Sequence, residues 1–298
     1  MSCILRCLCL IVTAVLIAFA VQAEQTIVAV FGNKSTTSPF PFQISRRPND
    51  AVTGAEFAEI TRDMLASERQ RRALVELRQG NLPGFMRKLK PVGFNYITPE
   101  GATLTAIIWV MPDYLAIGSD KDFLRIPLNY STAIEIADDL GFILPTPRMV
   151  DIIYEQATCQ LKPQTMKPGP RMRSIEYYWQ HQQDIKAQRN KEGCALGELT
   201  AGHKKDIVLT NLLNKRPGRI AIYGWQKPDG VPIQPLSTFH GAEYADYSHG
   251  VRLVYQTMWI NDKAYNIRDV LKNPLLAPVL SDEGIITHLD RMLTVQRR

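Results

Sequence analysis

Between Thr200 and Arg252 the chain gathers three of its five histidines with carboxylates, hydroxyls and cations. The order is Gly202-His203-Lys204-Lys205-Asp206, then Tyr223-Gly224-Trp225, then Ser237-Thr238-Phe239-His240, then Tyr244-Ala245-Asp246-Tyr247-Ser248-His249-Gly250-Val251-Arg252. Histidine titrates near neutral pH, so His203 or His249 can serve as general base or acid. Asp246 can orient such a ring by accepting a hydrogen bond from its second nitrogen. His203, Asp246 and His249 are therefore the candidate catalytic residues. Arg252 offers the paired donors that suit a carboxylate or phosphate. Trp225 and Tyr244 offer flat rings with polar tips that stack on sugar faces. With His240 between them in sequence, Arg252, Trp225 and Tyr244 form the candidate substrate-binding set.

The same side chains can be read as metal ligands. A catalytic zinc takes three protein ligands and a water, and His203, His240, Asp246 and His249 could supply them. Their spacing matches neither HExxH nor a zinc ribbon. The competing readings are a metal-free site and histidines bonded within turns. Zinc thus stands as an alternative, and no cofactor is assigned. Ser237 and Ser248 lie beside histidines as a triad nucleophile would. Neither sits in a Gly-x-Ser-x-Gly elbow, and turn hydroxyls usually bond local backbone.

The elements that must position this chemistry are legible from periodicity. Thr53-Gly54-Ala55-Glu56 has capping-box spacing, and apolar residues at Phe57, Ile60, Met64, Leu65, Leu74, Val75 and Leu77 follow the helical period up to Gly80. Pro83 opens a short second helix. Ala102 to Val110 and Tyr114 to Ile117 read as strands joined by a hairpin at Met111-Pro112-Asp113. Ser131 caps a helix ending at Leu140, and Thr146-Pro147 starts another that reaches about Cys159. Ser174 to Lys191 is helical. Beyond Gly193 the chain is strand-rich, with runs at Ile207 to Leu213, Arg219 to Trp225, Val231 to Leu236 and Val251 to Ile260. Pro228-Asp229-Gly230 is a turn between two of them. Helices are expected again over Ile267 to Asn273 and Thr287 to Thr294. Mixed order without strand–helix alternation gives an α+β fold class, with a mainly antiparallel sheet in the C-terminal half and helices packed from the N-terminal half. Residues 24–298 read as one domain, with the Pro-rich loop 162–170 as the place where it would divide.

The first 23 residues have the pattern of a signal peptide. Arg6 precedes an apolar run from Cys7 to Val21, and Val21-Gln22-Ala23 carries small residues at the cleavage positions. A secreted or periplasmic location follows as an expectation. The first strand is expected at Thr26 to Phe31. Cleavage removes Cys3, Cys7 and Cys9 and leaves Cys159 and Cys194, an even pair that suggests a disulfide in an oxidising compartment. The alternative makes Cys194 a nucleophile with His203 as its base. The chain carries a net charge of +6. That mild excess favours anionic partners, but no basic stripe with interleaved aromatics points to nucleic acid. No later apolar run reaches spanning length.

Two stretches carry a resemblance. Ile143-Leu144-Pro145-Thr146-Pro147-Arg148-Met149-Val150-Asp151 is one. The other joins Ala201 to Asp206 with Pro232-Ile233-Gln234-Pro235-Leu236 and Tyr244 to Gly250. Together they resemble a group of uncharacterised exported bacterial proteins. The resemblance implies export and carries no activity, cofactor or residue role with it. The expected function is hydrolysis of an extracytoplasmic polymer, a cell-envelope glycan or peptide, at a His-based site, with that polymer or a small anionic ligand as the expected partner. The alternative is a non-catalytic envelope binding or assembly protein with an aromatic and basic surface. Histidines converging in an open cleft would favour the enzyme. Scattered histidines beside an exposed aromatic platform would favour binding.

Overall fold

The computed structural model describes residues 44–294. The signal-peptide reading, its three cysteines and the expected strand at Thr26 to Phe31 lie outside the described residues. Thr53 accepts from the Glu56 backbone while the Glu56 carboxylate returns to Thr53, and this capping box starts the helix Gly54–Ile60. The helical period does not run unbroken to Gly80, because Thr61 to Leu65 form a turn before a second helix, Ala66–Arg78. Past Pro83 there is a single 3-10 turn, Gly84–Arg87.

The larger sheet has six strands, all paired antiparallel. Its centre is Thr103–Val110, which lies against Lys90–Ile97 on one edge, in register from Lys90 opposite Val110 to Ile97 opposite Thr103. On the other edge it meets Thr257–Ile260 and Val254–Tyr255. The hairpin partner of Thr103–Val110 is therefore the preceding strand. The expected hairpin at Met111-Pro112-Asp113 does not form; that segment turns inward, where Asp113 is needed as a buried charge. Ala116–Gly118 pairs instead with Phe123–Arg125. Full burial of side chains such as Ile108 and Met111 contributes roughly 1.5–3 kcal/mol each.

The smaller sheet has four strands in the order Pro232–Ser237, Ile222–Gln226, Lys205–Ile207, His249–Gly250. The first three are antiparallel, and the turn at Pro228-Asp229-Gly230 joins two of them as expected. His249–Gly250 runs parallel to Lys205–Ile207, with His249 opposite Lys205. The chain is thus α+β, with antiparallel pairing dominant in its C-terminal half. The run Ile207 to Leu213 leaves the sheet after Ile207, and Leu212–Lys215 is helical.

Asn129, not Ser131, caps Tyr130–Asp139, its side chain accepting from the Thr132 amide. Thr146 caps Pro147–Glu155 with Pro147 in the first turn. That helix ends before Cys159, which pairs as a short parallel strand with Thr200. Ser174 caps Ile175–Glu192, and Gly193 closes it at φ +72°. The two C-terminal helical expectations appear as Ile267–Lys272 and a single turn, Leu289–Met292. Cys159 and Cys194 form a disulfide, Cα–Cα 5.8 Å, so Cys194 is not a free nucleophile. The described residues fall within one compact unit that includes the loop 162–170. No helix among the described residues is long and apolar enough to cross a membrane.

Candidate functional site

Gly202 sets the direction of His203. It has φ +93°, and a Cβ there would stand 2.5 Å from the Leu161 carbonyl oxygen. The turn it permits drives His203 inward, with its Nε2 3.2 Å from Asp113 Oδ1 and its ring edge-on to Tyr114 at 4.9 Å. Asp113 also accepts two bonds from Arg125, Nε to Oδ1 at 2.9 Å and Nη2 to Oδ2 at 2.5 Å. Arg189 Nη1 approaches Asp113 Oδ2 at 3.9 Å. Burial alone would raise the Asp113 carboxyl, but Arg125 and His203 more than offset it and hold it well below the usual carboxylate range. Burial lowers His203 to about 4 against the pull of Asp113, so its ring is neutral at pH 7.

Behind His203 the polar cluster continues. Tyr114 donates from Oη to Asp206 Oδ2 at 2.8 Å. Burial raises Asp206 to about 7, with Arg252 opposing. Lys204 donates from Nζ to the Tyr247 carbonyl, and burial followed by the field of Arg125 lowers it to about 7. Arg252 spends its guanidinium on the carbonyls of Met111, at 2.9 Å, and Thr200, at 2.6 Å, and lies 4.3 Å from the Tyr114 ring. It ties three segments of backbone together and is fully enclosed. Named above for substrate binding, Arg252 is thus buried, with its donors on main-chain carbonyls and not at the surface.

The second cluster forms at the turn before His249. Asp246 accepts from the Ser248 amide at 2.8 Å, from Ser248 Oγ at 2.6 Å and from Tyr244 Oη at 3.0 Å. Ser248 thus bonds its local carboxylate, as a turn hydroxyl does. Burial would raise Asp246, but His249, Ser248 and Lys205 lower it overall. His249 is lowered to about 4 by burial, against the pull of Asp246. Neither ring nitrogen of His249 has a hydrogen-bond partner among the described residues. Outside it, His240 stacks parallel on Tyr244, with centroids 4.0 Å apart and planes 6° apart. Burial also lowers His240, which is only partly enclosed. Phe239 meets His240 edge-on at 5.3 Å and is 74% exposed. Arg173 lies 5.3 Å from the Tyr244 ring.

The candidate residues therefore divide. Asp246, His249, His240 and Tyr244 come together. His203 turns to Asp113 and Tyr114, although the strand that follows it, Lys205–Ile207, pairs with that of His249. His203, Asp246 and His249 are buried, so they do not share a solvent-reachable cleft. Among the described residues no group of three His, Cys, Asp or Glu side chains is placed to hold a metal ion, and the suggested set of His203, His240, Asp246 and His249 does not converge. Trp225 is a buried side chain at φ +59°, with Lys205 Nζ 4.9 Å over its ring. It packs inward instead of offering a stacking face.

Asp113, Tyr114 and Arg125 were not among the candidate site residues, and Asp206 stood in the candidate region without a role. For Arg125 the signal was a single charge inside an apolar run, Phe123-Leu124-Arg125-Ile126, because a charge in a buried strand must be paired. Comparison of the chain with protein-family models, curated proteins and solved structures returned no match.

Proposed function

We propose that the protein is a non-catalytic binding protein of the cell envelope. It would hold a ring-bearing, negatively charged ligand, such as an acidic envelope glycan, on the face made by Phe239, His240 and Tyr244. The observation that carries this reading is the parallel stack of His240 on Tyr244 with Phe239 projecting beside it. A planar aromatic platform suits a sugar face, and Arg173 beside Tyr244 supplies charge of the right sign. Buried histidines split between two clusters favour binding over a shared catalytic cleft. Envelope location remains an expectation from the leader pattern. The test is co-sedimentation of the purified chain with isolated envelope glycan, with released reducing ends measured in parallel. Retention that Phe239→Ala weakens, without release of reducing ends, is the expected result. Unchanged retention in Phe239→Ala would remove the platform from the proposal.

A second reading, a hydrolase, draws on one observation. Asp246, lowered and triply bonded, lies beside a neutral His249 whose ring nitrogens are uncommitted. That pair has the ingredients of a general base, with His240 and Tyr244 as its cover. Release of reducing ends that is abolished in His249→Ala, while His249→Ala still folds, would establish this reading over the first.

A further inference from the structure

A cavity of about 290 Å³ opens between the segment Asp120 to Arg125 and the helix Ile175–Glu192. It shares no lining residue with the Phe239 face. The helix contributes Trp179, Gln182, Lys186 and Arg189, which recur at three- and four-residue spacing and so line one side. The opposite wall includes the Phe123 ring, with Arg125 Cζ 5.1 Å over it. Cys194, fixed by the disulfide to Cys159, and Leu196 close the end. The volume is near the lower limit for small-molecule sites, roughly 300 Å³.

The charge balance of this cavity is uneven. At its mouth Lys121 and Lys186 are matched by Asp120 and Asp122. Those two carboxylates are also held in place, Asp120 by the Phe85 amide at 3.1 Å and Asp122 by the Ala55 amide at 3.2 Å. At the floor stand two buried guanidiniums, Arg125 and Arg189. Asp113 faces both, but Arg125 takes both of its oxygens in direct bonds. Arg189 Nη1 reaches Asp113 only at 3.9 Å, while its Nη2 donates to the Ala195 carbonyl. Glu198 acts on Arg189 more weakly than Asp113 does and is half-exposed. His203, neutral beside Asp113, adds no charge. The floor thus holds two cations against one anion, and a buried charge without its own partner is costly. Gln182 accepts from Arg125 through Oε1 at 2.9 Å. A carboxylate entering from the mouth would supply the missing negative charge, with Trp179, Phe123 and Leu196 around its body.

We propose that this cavity binds a small organic carboxylate with a flat apolar body, its charge held by Arg189 at the floor and Lys186 at the mouth. Guanidinium bonds to carboxylate are among the strong charge-assisted ones, and the ring of Trp179 can stack on an aromatic or unsaturated body.

The test uses the oxidised protein and phenylacetate as probe. The Trp179 indole N–H resonance, assigned by its loss in Trp179→Phe, reports binding. A saturable shift of that resonance is expected. Phenylacetamide, the neutral analogue, should bind at least about tenfold more weakly. Inorganic phosphate, an anion without an apolar body, should not reproduce the shift. Arg189→Gln should weaken phenylacetate about tenfold or more. Arg189 is buried, so its variant can fail to fold. Lys186 lies on the exposed side of the helix, and Lys186→Gln should fold and weaken binding about threefold. Three results would overturn the proposal: no saturable shift with phenylacetate, equal affinity for the amide or for phosphate, or full affinity in Lys186→Gln together with a folded Arg189→Gln.

Discussion

Asp113 and Arg125 form a two-bond ion pair in the interior, 1% and 2% exposed, with bonds of 2.9 and 2.5 Å. A pair of this kind is weak evidence for net stability, because both ions lose their water. Breaking it is another matter. Asp113→Ala leaves Arg125 buried without its bonded counter-charge, and should cost about 3–5 kcal/mol. Replacing both members together, Asp113→Leu with Arg125→Met, should cost less than the single change. Urea midpoints of the two variants decide this. A double variant less stable than Asp113→Ala would show that the pair stabilises beyond its own desolvation.

Acid should weaken the fold in a defined window. Burial lowers His203 and His249 to about 4 from 6.5, so the unfolded chain takes up protons first as pH falls. Their contribution to stability is present above pH 6.5 and is lost between about 6.5 and 4. Buried His181 is lowered as well and acts in the same direction. Asp206 acts oppositely: raised to about 7 from 3.8, its contribution is full at low pH and is lost as pH rises toward 7. Three imidazoles outweigh one carboxyl, so stability should drop from pH 6.5 to 4.5 by a few kcal/mol. Denaturation midpoints across that range measure it, and His249→Gln should flatten the slope. Stability that is flat or rising on acidification would contradict burial of neutral imidazoles.

The strand His249–Gly250 approaches Tyr114 and Lys204 through Gly250. A Cβ on Gly250 would stand 2.5 Å from the Tyr114 ring and 2.7 Å from the Lys204 Cβ. Gly250→Ala should therefore destabilise by about 1–3 kcal/mol through overpacking. Gly284, where a Cβ meets nothing within 4 Å, provides a comparison in which only the backbone conformation is at stake. Thermal melts compare them, and a neutral Gly250→Ala would place the strand farther from Tyr114.

The Cys159–Cys194 disulfide closes a loop with a sequence separation of 35, for which loop-closure entropy gives about 3–4 kcal/mol. Unreduced material from an oxidising compartment should weigh two hydrogens less than the reduced chain. Replacing both cysteines by serine should lower stability by about that amount. Two free thiols in such material would refute the bridge.

What the sequence determined by itself was local. Capping at Thr53, Thr146 and Ser174 starts helices where side-chain oxygens meet free backbone amides, and these signals lie within three residues of chain. The turn at Pro228-Asp229-Gly230 and the strands it joins are of the same kind. The α+β class follows from the order of those elements, and the disulfide was suggested by parity of the cysteines left when the expected leader is set aside. The candidate site was legible as a region but not as a geometry. Asp246, His240, Tyr244 and His249 lie within ten positions and meet through one turn. His203 is close in sequence and next to the same sheet, yet Gly202 turns it toward Asp113, ninety positions earlier. Only tertiary structure decides such a contact, because a buried imidazole goes where a partner and space exist. The same holds for Arg252, whose charge looked available until its donors met the carbonyls of Met111 and Thr200. Burial converts a list of reactive side chains into a few that reach solvent, and burial is a property of the packed whole.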